Sequence, residues 1–286
     1  MTDETAAPTA APPASALTKL HKRLLSAIAM IAGAVFLTWL SPAVFALLVF
    51  AIATLMTWEW SRMVRGKDFD RFALLQTAVV AAVIAITLFG GANAALWGAM
   101  LIAAAALLAV AMGLGPLTAL GVVYVAVPAA ALVWLRASPD LGFEVILFLF
   151  AVVWATDSFA MVFGQNVGGP RLWPAVSPNK TWAGALGGLA AAAIVGAMFA
   201  TFFLPGQSVA YGLTVAMYLS IMAQIGDLGE SAVKRQTRVK DTSGIIPGHG
   251  GVLDRMDGIV GASVAAAALA LAIGWQAPAR VVLIGG

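Results

Sequence analysis

Between Ser231 and Gly258 the chain reads SAVKRQTRVKDTSGIIPGHGGVLDRMDG. Eight charged residues crowd this stretch, although the whole chain has only 16 Lys and Arg and 13 Asp and Glu among 286 residues. Asp254 and Asp257 are three apart, so a helix puts both carboxylates on one face. Two carboxylates so placed repel unless something cationic joins them. Arg255 is one choice, and a divalent cation taking oxygen ligands from a site shared with Asp227 is another. Upstream, in IMAQIGDLGES, Gln224, Asp227 and Ser231 fall at helical spacing on one face, and Glu230 and Lys234 form an i, i+4 pair. That pair is equally consistent with support of a surface helix. Before Asp254 comes IPGHGG, whose glycines let backbone N–H groups approach an anion just ahead of the positive end of a helix. Lys234, Arg235, Arg238 and Lys240 make the neighbourhood cationic as well.

Two further clusters stand out. Asp157, in WATDSFAMVFG, falls inside an apolar run, where a carboxylate needs a partner and marks a functional site by default, with structural pairing to a neighbouring Arg or Lys as the alternative. In RLWPAVSPNKTWAGALGG, Ser177, Asn179, Lys180 and Thr181 are hydrogen-bonding groups at the expected start of a helix, with Thr181 also suited to capping it. Gly184 with Gly188, and Gly164 with Gly168, are spaced for close helix packing.

The elements that must hold these groups follow from composition. Hydrophobic residues make up 62% of the chain and charged residues 10%. That leaves too little polar surface to cover a soluble core, so the class is an integral membrane protein. Nine apolar segments are long enough to cross a bilayer as helices, at about 24–40, 42–60, 72–90, 94–112, 115–135, 143–163, 181–204, 209–228 and 252–275. A cytoplasmic amino terminus puts 14 of the 16 Lys and Arg residues on the inner side, with Arg136 and Arg280 outside. The positive-inside rule therefore favours nine spans in that orientation. Asp157, Asp227 and Asp254 then share one cytoplasmic depth.

Residues 1–18 are rich in Ala, Pro and Thr and read as a disordered tail, with residues 19–286 forming one membrane catalytic domain. Lys19, Lys22 and Arg23 precede a full-length span, which is not the order of a cleavable signal peptide. With them, Leu17, Leu20 and Leu24 suit a short interfacial helix, and simple positive-inside flanking of the first span accounts for the cations equally well. The absence of Cys excludes thiolate chemistry, and two histidines, His21 and His249, argue against a histidine-built zinc site.

The charged stretch resembles the signature of the phosphatidate cytidylyltransferase, or CDP-diacylglycerol synthase, family: S-A-V-K-R, then K-D, then P-G-H-G-G-V-L-D-R-M-D. GDLGES and SPNKTWAG resemble the segments that the family carries upstream, with Ala183 where Glu is usual. DSFAMVFG resembles another, with Met161 where Tyr is common. The resemblance covers roughly the second half of the chain.

It implies that CTP and phosphatidic acid give CDP-diacylglycerol and pyrophosphate, with Mg2+ required and a second cation allowed. The lipid phosphate, with a second pKa of about 6, is already a nucleophile at neutral pH, so no general base is needed. Charge neutralisation and in-line positioning at the alpha phosphorus of CTP are what the protein must supply. By this likeness Asp227 and Asp254 are the metal residues. Lys180, Lys234, Arg235 and Lys240 are the phosphate contacts, with Ser177, Asn179 and Thr181 beside them and His249, Gly250 and Gly251 forming the turn. Asp157, Asp241, Arg255 and Asp257 are left to a second cation, to orienting other groups or to the cytidine.

The site is expected to face the cytoplasm from the inner membrane; a homodimer is compatible with this reading, and nucleic acid is not an expected partner. Two other readings are weaker. A CDP-alcohol phosphotransferase would need D-G-x-x-A-R, but Asp257-Gly258 runs on into Ile259, Val260, Gly261 and Ala262. An ion-coupled transporter would use Asp157, Asp227 and Asp254 as a cation site and leaves the PGHGG turn without a purpose.

Overall fold

The computed structural model describes residues 31–245 and 250–285, with the backbone alone at Ala92. Expectations about the tail, Lys19, Lys22, Arg23, the start of the first span and His249 lie outside the described residues.

The order is α1 (Ile31–Leu40), then α2 (Pro42–Arg65), α3 (Arg71–Phe89), α4 (Ala94–Ala111), α5 (Pro116–Arg136) and α6 (Gly142–Asn166). A hairpin of β1 (Arg171–Trp173) and β2 (Ser177–Thr181) leads into α7 (Trp182–Phe202), α8 (Val209–Gln236), α9 (Leu253–Ile273) and α10 (Pro278–Ile284). Helices α2 to α9 are long and apolar enough to cross a membrane, and α1 is the described part of the first expected span. The chain is an all-α polytopic membrane protein. In hydrocarbon a helix satisfies its own backbone hydrogen bonds, which is why apolar runs of this length settle as helices.

Side chains close the ends. Ser41 accepts from the Val44 N–H at 3.2 Å with Pro42 beginning the helix, and Asp70 accepts from the Ala73 N–H at 2.8 Å. Thr181 accepts from the Gly184 N–H at 3.1 Å, the capping role expected of it.

Helices α2 to α5 pack as one group and α6 to α9 as another, and α5 and α9 join the two. A few polar bonds cross between buried helices: Trp60 Nε1 to the Leu117 carbonyl at 2.9 Å, Gln76 Nε2 to the Gly121 carbonyl at 3.0 Å, and Thr156 Oγ1 to Ser220 Oγ at 2.9 Å. Elsewhere small residues let backbones approach. A Cβ on Gly184 would lie 2.7 Å from the Ala160 carbonyl oxygen, and one on Gly188 2.7 Å from that of Thr156. The expected close packing of α6 on α7 is therefore present. Gly168 is not part of it: with φ +66° and open space around it, it turns the chain after α6.

Three elements depart from expectation. Ser177, Asn179 and Lys180 belong to a strand, not a helix start; antiparallel pairing of Arg171 with Thr181 and Trp173 with Ser177 shapes the connection. Helix α8 continues past residue 228 to Gln236, so Lys234 and Arg235 lie on the same helix as Asp227. At about 1.5 Å per residue its 28 residues measure about 42 Å, beyond the ~30 Å hydrocarbon core. Short α10 packs back into the bundle, where the Tyr211 hydroxyl donates to the Val281 carbonyl at 2.5 Å.

Candidate active site

The site begins where α8 crosses α9. A Cβ on Gly226 would lie 2.5 Å from the Asp257 carbonyl oxygen and 3.1 Å from the Gly261 Cα, and one on Gly261 would collide with the Met222 carbonyl. Only glycine allows this approach, and it sets Asp227, Glu230 and Lys234 of α8 against Asp254 and Asp257 of α9.

Lys234 bridges the two helices. Its Nζ is 2.8 Å from Asp254 Oδ1 and 3.3 Å from Glu230 Oε1, with side chains 13% exposed for Lys234, 10% for Asp254 and 0% for Glu230. Glu230 is thus a buried partner, not surface helix support. Asp254 Oδ2 also accepts the Gly251 N–H at 2.9 Å and the Thr242 N–H at 3.1 Å, with Thr242 Oγ1 3.1 Å away. One carboxylate therefore ties α8, the loop after it and the start of α9 together.

Lys180 reaches from β2 to form an ion pair with Asp227, whose Oδ1 lies 3.5 Å from Ser231 Oγ. Arg235 Nε donates to the Val176 carbonyl at 3.1 Å, so this expected phosphate contact anchors the hairpin to α8. Asp157 comes from α6: a Cβ on Gly258 would sit 3.7 Å from its Oδ2, and it interacts electrostatically with Asp227, Lys180 and Arg255. Asp257 Oδ1 accepts the Gly258 N–H at 2.7 Å, and its carboxylate interacts with those of Asp227 and Glu230. The structure thus gathers Asp157, Lys180, Asp227, Lys234, Asp254, Arg255 and Asp257. Lys240 and Asp241 are exposed on the loop after α8, and among the described residues no ion pair ties either to the cluster; Asn179 is exposed on the hairpin, where its carbonyl accepts from Arg171 at 3.1 Å.

The Gly-rich turn corrects another expectation. The N–H groups of Gly251, Val252 and Leu253 point at carboxylates of the chain itself, Asp254 and Glu59, and are not available to a substrate phosphate in this arrangement. Gly250 keeps a turn role with φ +83°. A Cβ on Gly251 would lie 2.7 Å from Glu59 Oε1, and Thr242 Oγ1 would be closer still, so this glycine makes room for Glu59.

Sequence reasoning missed Glu59. It is fully buried on α2, where its carboxylate accepts from Ser243 Oγ at 2.5 Å, the Val252 N–H at 2.9 Å and the Leu253 N–H at 2.7 Å; Thr242 Oγ1 is 3.1 Å away. The signal was a carboxylate between two tryptophans at the end of an apolar run, the kind of residue singled out at position 157. Nearby Arg62, Arg65 and Lys67 made that end look like an ordinary charged flank.

Among the described residues no three His, Cys, Asp or Glu side chains converge at metal-ligand spacing. Asp227 and Asp254 are each held by a lysine. The donor type nevertheless fits a hard cation, which takes carboxylate oxygens. Glu230 supplies a second observation, since among the described residues neither of its buried oxygens has a hydrogen-bond donor, the Lys234 ion pair and the neighbouring Asp257 carboxyl aside.

Beside this polar cluster opens a cavity of about 800 Å³, walled by residues of α1, α2, α5, α6 and α9 such as Phe45, Val49, Ile52, Leu132 and Phe150. Asp157, Ser158, Asp254, Arg255 and Asp257 also line it. An apolar cleft and a charged cluster therefore meet in one space.

Residues 21–273 match the model of the cytidylyltransferase family. A phosphatidate cytidylyltransferase of Brucella abortus biovar 1 (strain 9-941) is 41% identical over 254 residues, covering 86% of this chain and 92% of that protein. One from Staphylococcus haemolyticus (strain JCSC1435) is 47% identical over 116 residues, 41% of this chain and 45% of that protein. One from Rickettsia bellii (strain RML369-C) is 35% identical over 147 residues, 49% of this chain and 63% of that protein. The matched residues run from before α1 to the end of α9 and include every helix that contributes to the charged cluster and its cleft, so the chain belongs to the cytidylyltransferase family.

Proposed function

We propose that this chain is a phosphatidate cytidylyltransferase, joining CTP to phosphatidic acid with release of pyrophosphate. The observation that carries the reading, beyond family membership, is the meeting of a cation-and-carboxylate cluster with an apolar cleft. A substrate with a phosphate head and acyl tails needs both, and a nucleotide needs the first. Residues 19–286 are taken to act as one catalytic unit.

In this reading the tails of phosphatidic acid occupy the cleft, and its phosphate lies at the end bearing Asp157, Arg255 and Asp257. Lys180, Lys234, Arg235 and Lys240 neutralise the triphosphate arriving from water, and Asp241 and Asn179 lie beside its path. For Lys180 and Lys234 this requires leaving Asp227 and Asp254. The lipid phosphate attacks the alpha phosphorus, the new phosphorus–oxygen bond replaces the bond to the leaving pyrophosphate, and no protein group need take a proton. Asp227 and Asp254 would hold Mg2+, with Glu230 and Asp257 adjacent. When bound, the cation supplies charge neutralisation for the oxygens of the transferring phosphoryl group.

Turnover is the direct test. The purified chain in detergent, given radiolabelled CTP, phosphatidic acid and Mg2+, is expected to make a labelled lipid and release pyrophosphate in equal amount. No labelled lipid alongside an active control enzyme would reject the proposal.

The site is proposed to face the cytoplasm from the inner membrane. Cysteines at Asp140 and Gly244, both exposed in this cysteine-free chain, are expected to be labelled from opposite sides by an impermeant maleimide, Gly244→Cys from the cytoplasm. Labelling of both from one side would overturn the topology.

A further inference from the structure

We propose that Glu59 is a positioning residue of the cytidylyltransferase site, acting through the first turn of α9. The proposal rests on the enzymatic reading above and extends it to a span outside the signature. Helix α9 has no cap of its own: Val252 stands at its N-cap with no side-chain hydrogen bond. The first N–H groups of a helix need acceptors, and a carboxylate is the favoured one at this positive end. Glu59 supplies it from α2, 193 residues away in sequence, by accepting from both Val252 and Leu253.

The same carboxylate takes the Ser243 hydroxyl, and Thr242 stands between Glu59 Oε2 and Asp254 Oδ2 at 3.1 Å from each. A hydroxyl has one proton, so Thr242 can donate to only one of the two at a time. Glu59 therefore holds the turn that Asp254 clasps from the other side. Gly251 lacks a Cβ at the point where that carboxylate passes. Released from Glu59, the turn loses three acceptor contacts at once, and Asp254, one residue beyond Leu253, moves relative to Lys234.

The full chain in detergent is assayed as wild type, Glu59→Gln, Glu59→Asp and Ser243→Ala, with labelled CTP, phosphatidic acid and Mg2+. Amide exchange over residues 250–258 and thermal melting are measured in parallel. Glu59→Gln turns a donor toward one of the N–H groups and is expected to lower kcat per folded molecule about 10–100-fold. KM for both substrates should change by less than about threefold, since Glu59 is placed away from either ligand. Glu59→Asp keeps the charge and is expected to recover part of the loss. Ser243→Ala, which leaves the two N–H bonds in place, should show a smaller fall in kcat.

Faster exchange at Val252 and Leu253 is expected in Glu59→Gln. Wild-type kcat in folded Glu59→Gln, or a lower melting temperature with kcat intact, overturns the proposal. Should Glu59→Gln fail to fold, Ser243→Ala decides: a kcat equal to wild type counts against positioning. If the wild type itself makes no labelled lipid, the enzymatic reading fails, and unchanged exchange in Glu59→Gln would separately reject the clasp.

Discussion

Asp227→Asn is expected to reduce turnover at least about 100-fold while leaving the fold intact, the scale seen when one stabilising group is lost from a transition state. The side chains of its ion pair with Lys180 are 27% and 29% exposed but Lys180 Nζ itself is buried; Asp157 remains as a second carboxylate interacting with that ammonium, so the melting temperature should fall only modestly. Asn is nearly the same shape without the charge, and the substitution therefore tests cation binding more than packing. Asp254→Asn is expected to lose activity as fully but also to melt at a lower temperature. An amide at that position turns its NH2 either toward Lys234 or toward the Gly251 and Thr242 N–H groups, a donor facing donors in both cases. If the two carboxylates act as a unit, the double variant should be no slower than either single one. Titrating Mg2+ against turnover gives the check. A folded Asp227→Asn protein with near-normal turnover and unchanged Mg2+ dependence would remove the metal assignment.

Lys234→Met should damage stability and activity together. The ammonium stands between Glu230 and Asp254, and all three side chains are largely or fully buried. Removing one partner from a buried charged cluster costs about 3–5 kcal/mol, because the remaining carboxylates lose the ammonium that they share. Melting in detergent should fall clearly, and turnover should be lost if Lys234 also meets a phosphate of CTP. A second substitution separates the two effects. Glu230→Gln added to Lys234→Met relieves the repulsion and is expected to restore much of the melting temperature without restoring turnover. Restored turnover in the double variant would show that Lys234 serves structure alone.

Much of the molecule was legible in its sequence. Apolar runs of about 20 residues have one solution in hydrocarbon, a helix, so α2 to α9 and their approximate limits follow from composition and run length. Charges in a chain with so few mark where water and chemistry are, and Asp157, Asp227, Lys234, Asp254 and Asp257 do converge. The small-residue spacing in α7 likewise predicted close packing of that helix, because backbone contact needs the absence of a Cβ.

Only the tertiary structure decided which charge meets which. Helical spacing pairs Glu230 with Lys234, yet it says nothing of Asp254, 20 residues on, whose place against Lys234 depends on the glycine crossing of α8 and α9. Lys180 meets Asp227 through a hairpin too short to announce itself by periodicity. Glu59 is the clearest case. A carboxylate at the end of an apolar run is ambiguous in one dimension, since it fits a solvated flank as well as a buried site. Folding α2 against α9 removes the water and leaves the unpaired N–H groups of a helix start as its partners. Sequence determines where polar groups are possible in a membrane; three-dimensional packing determines which of them must satisfy one another, because that depends on distances between segments far apart along the chain.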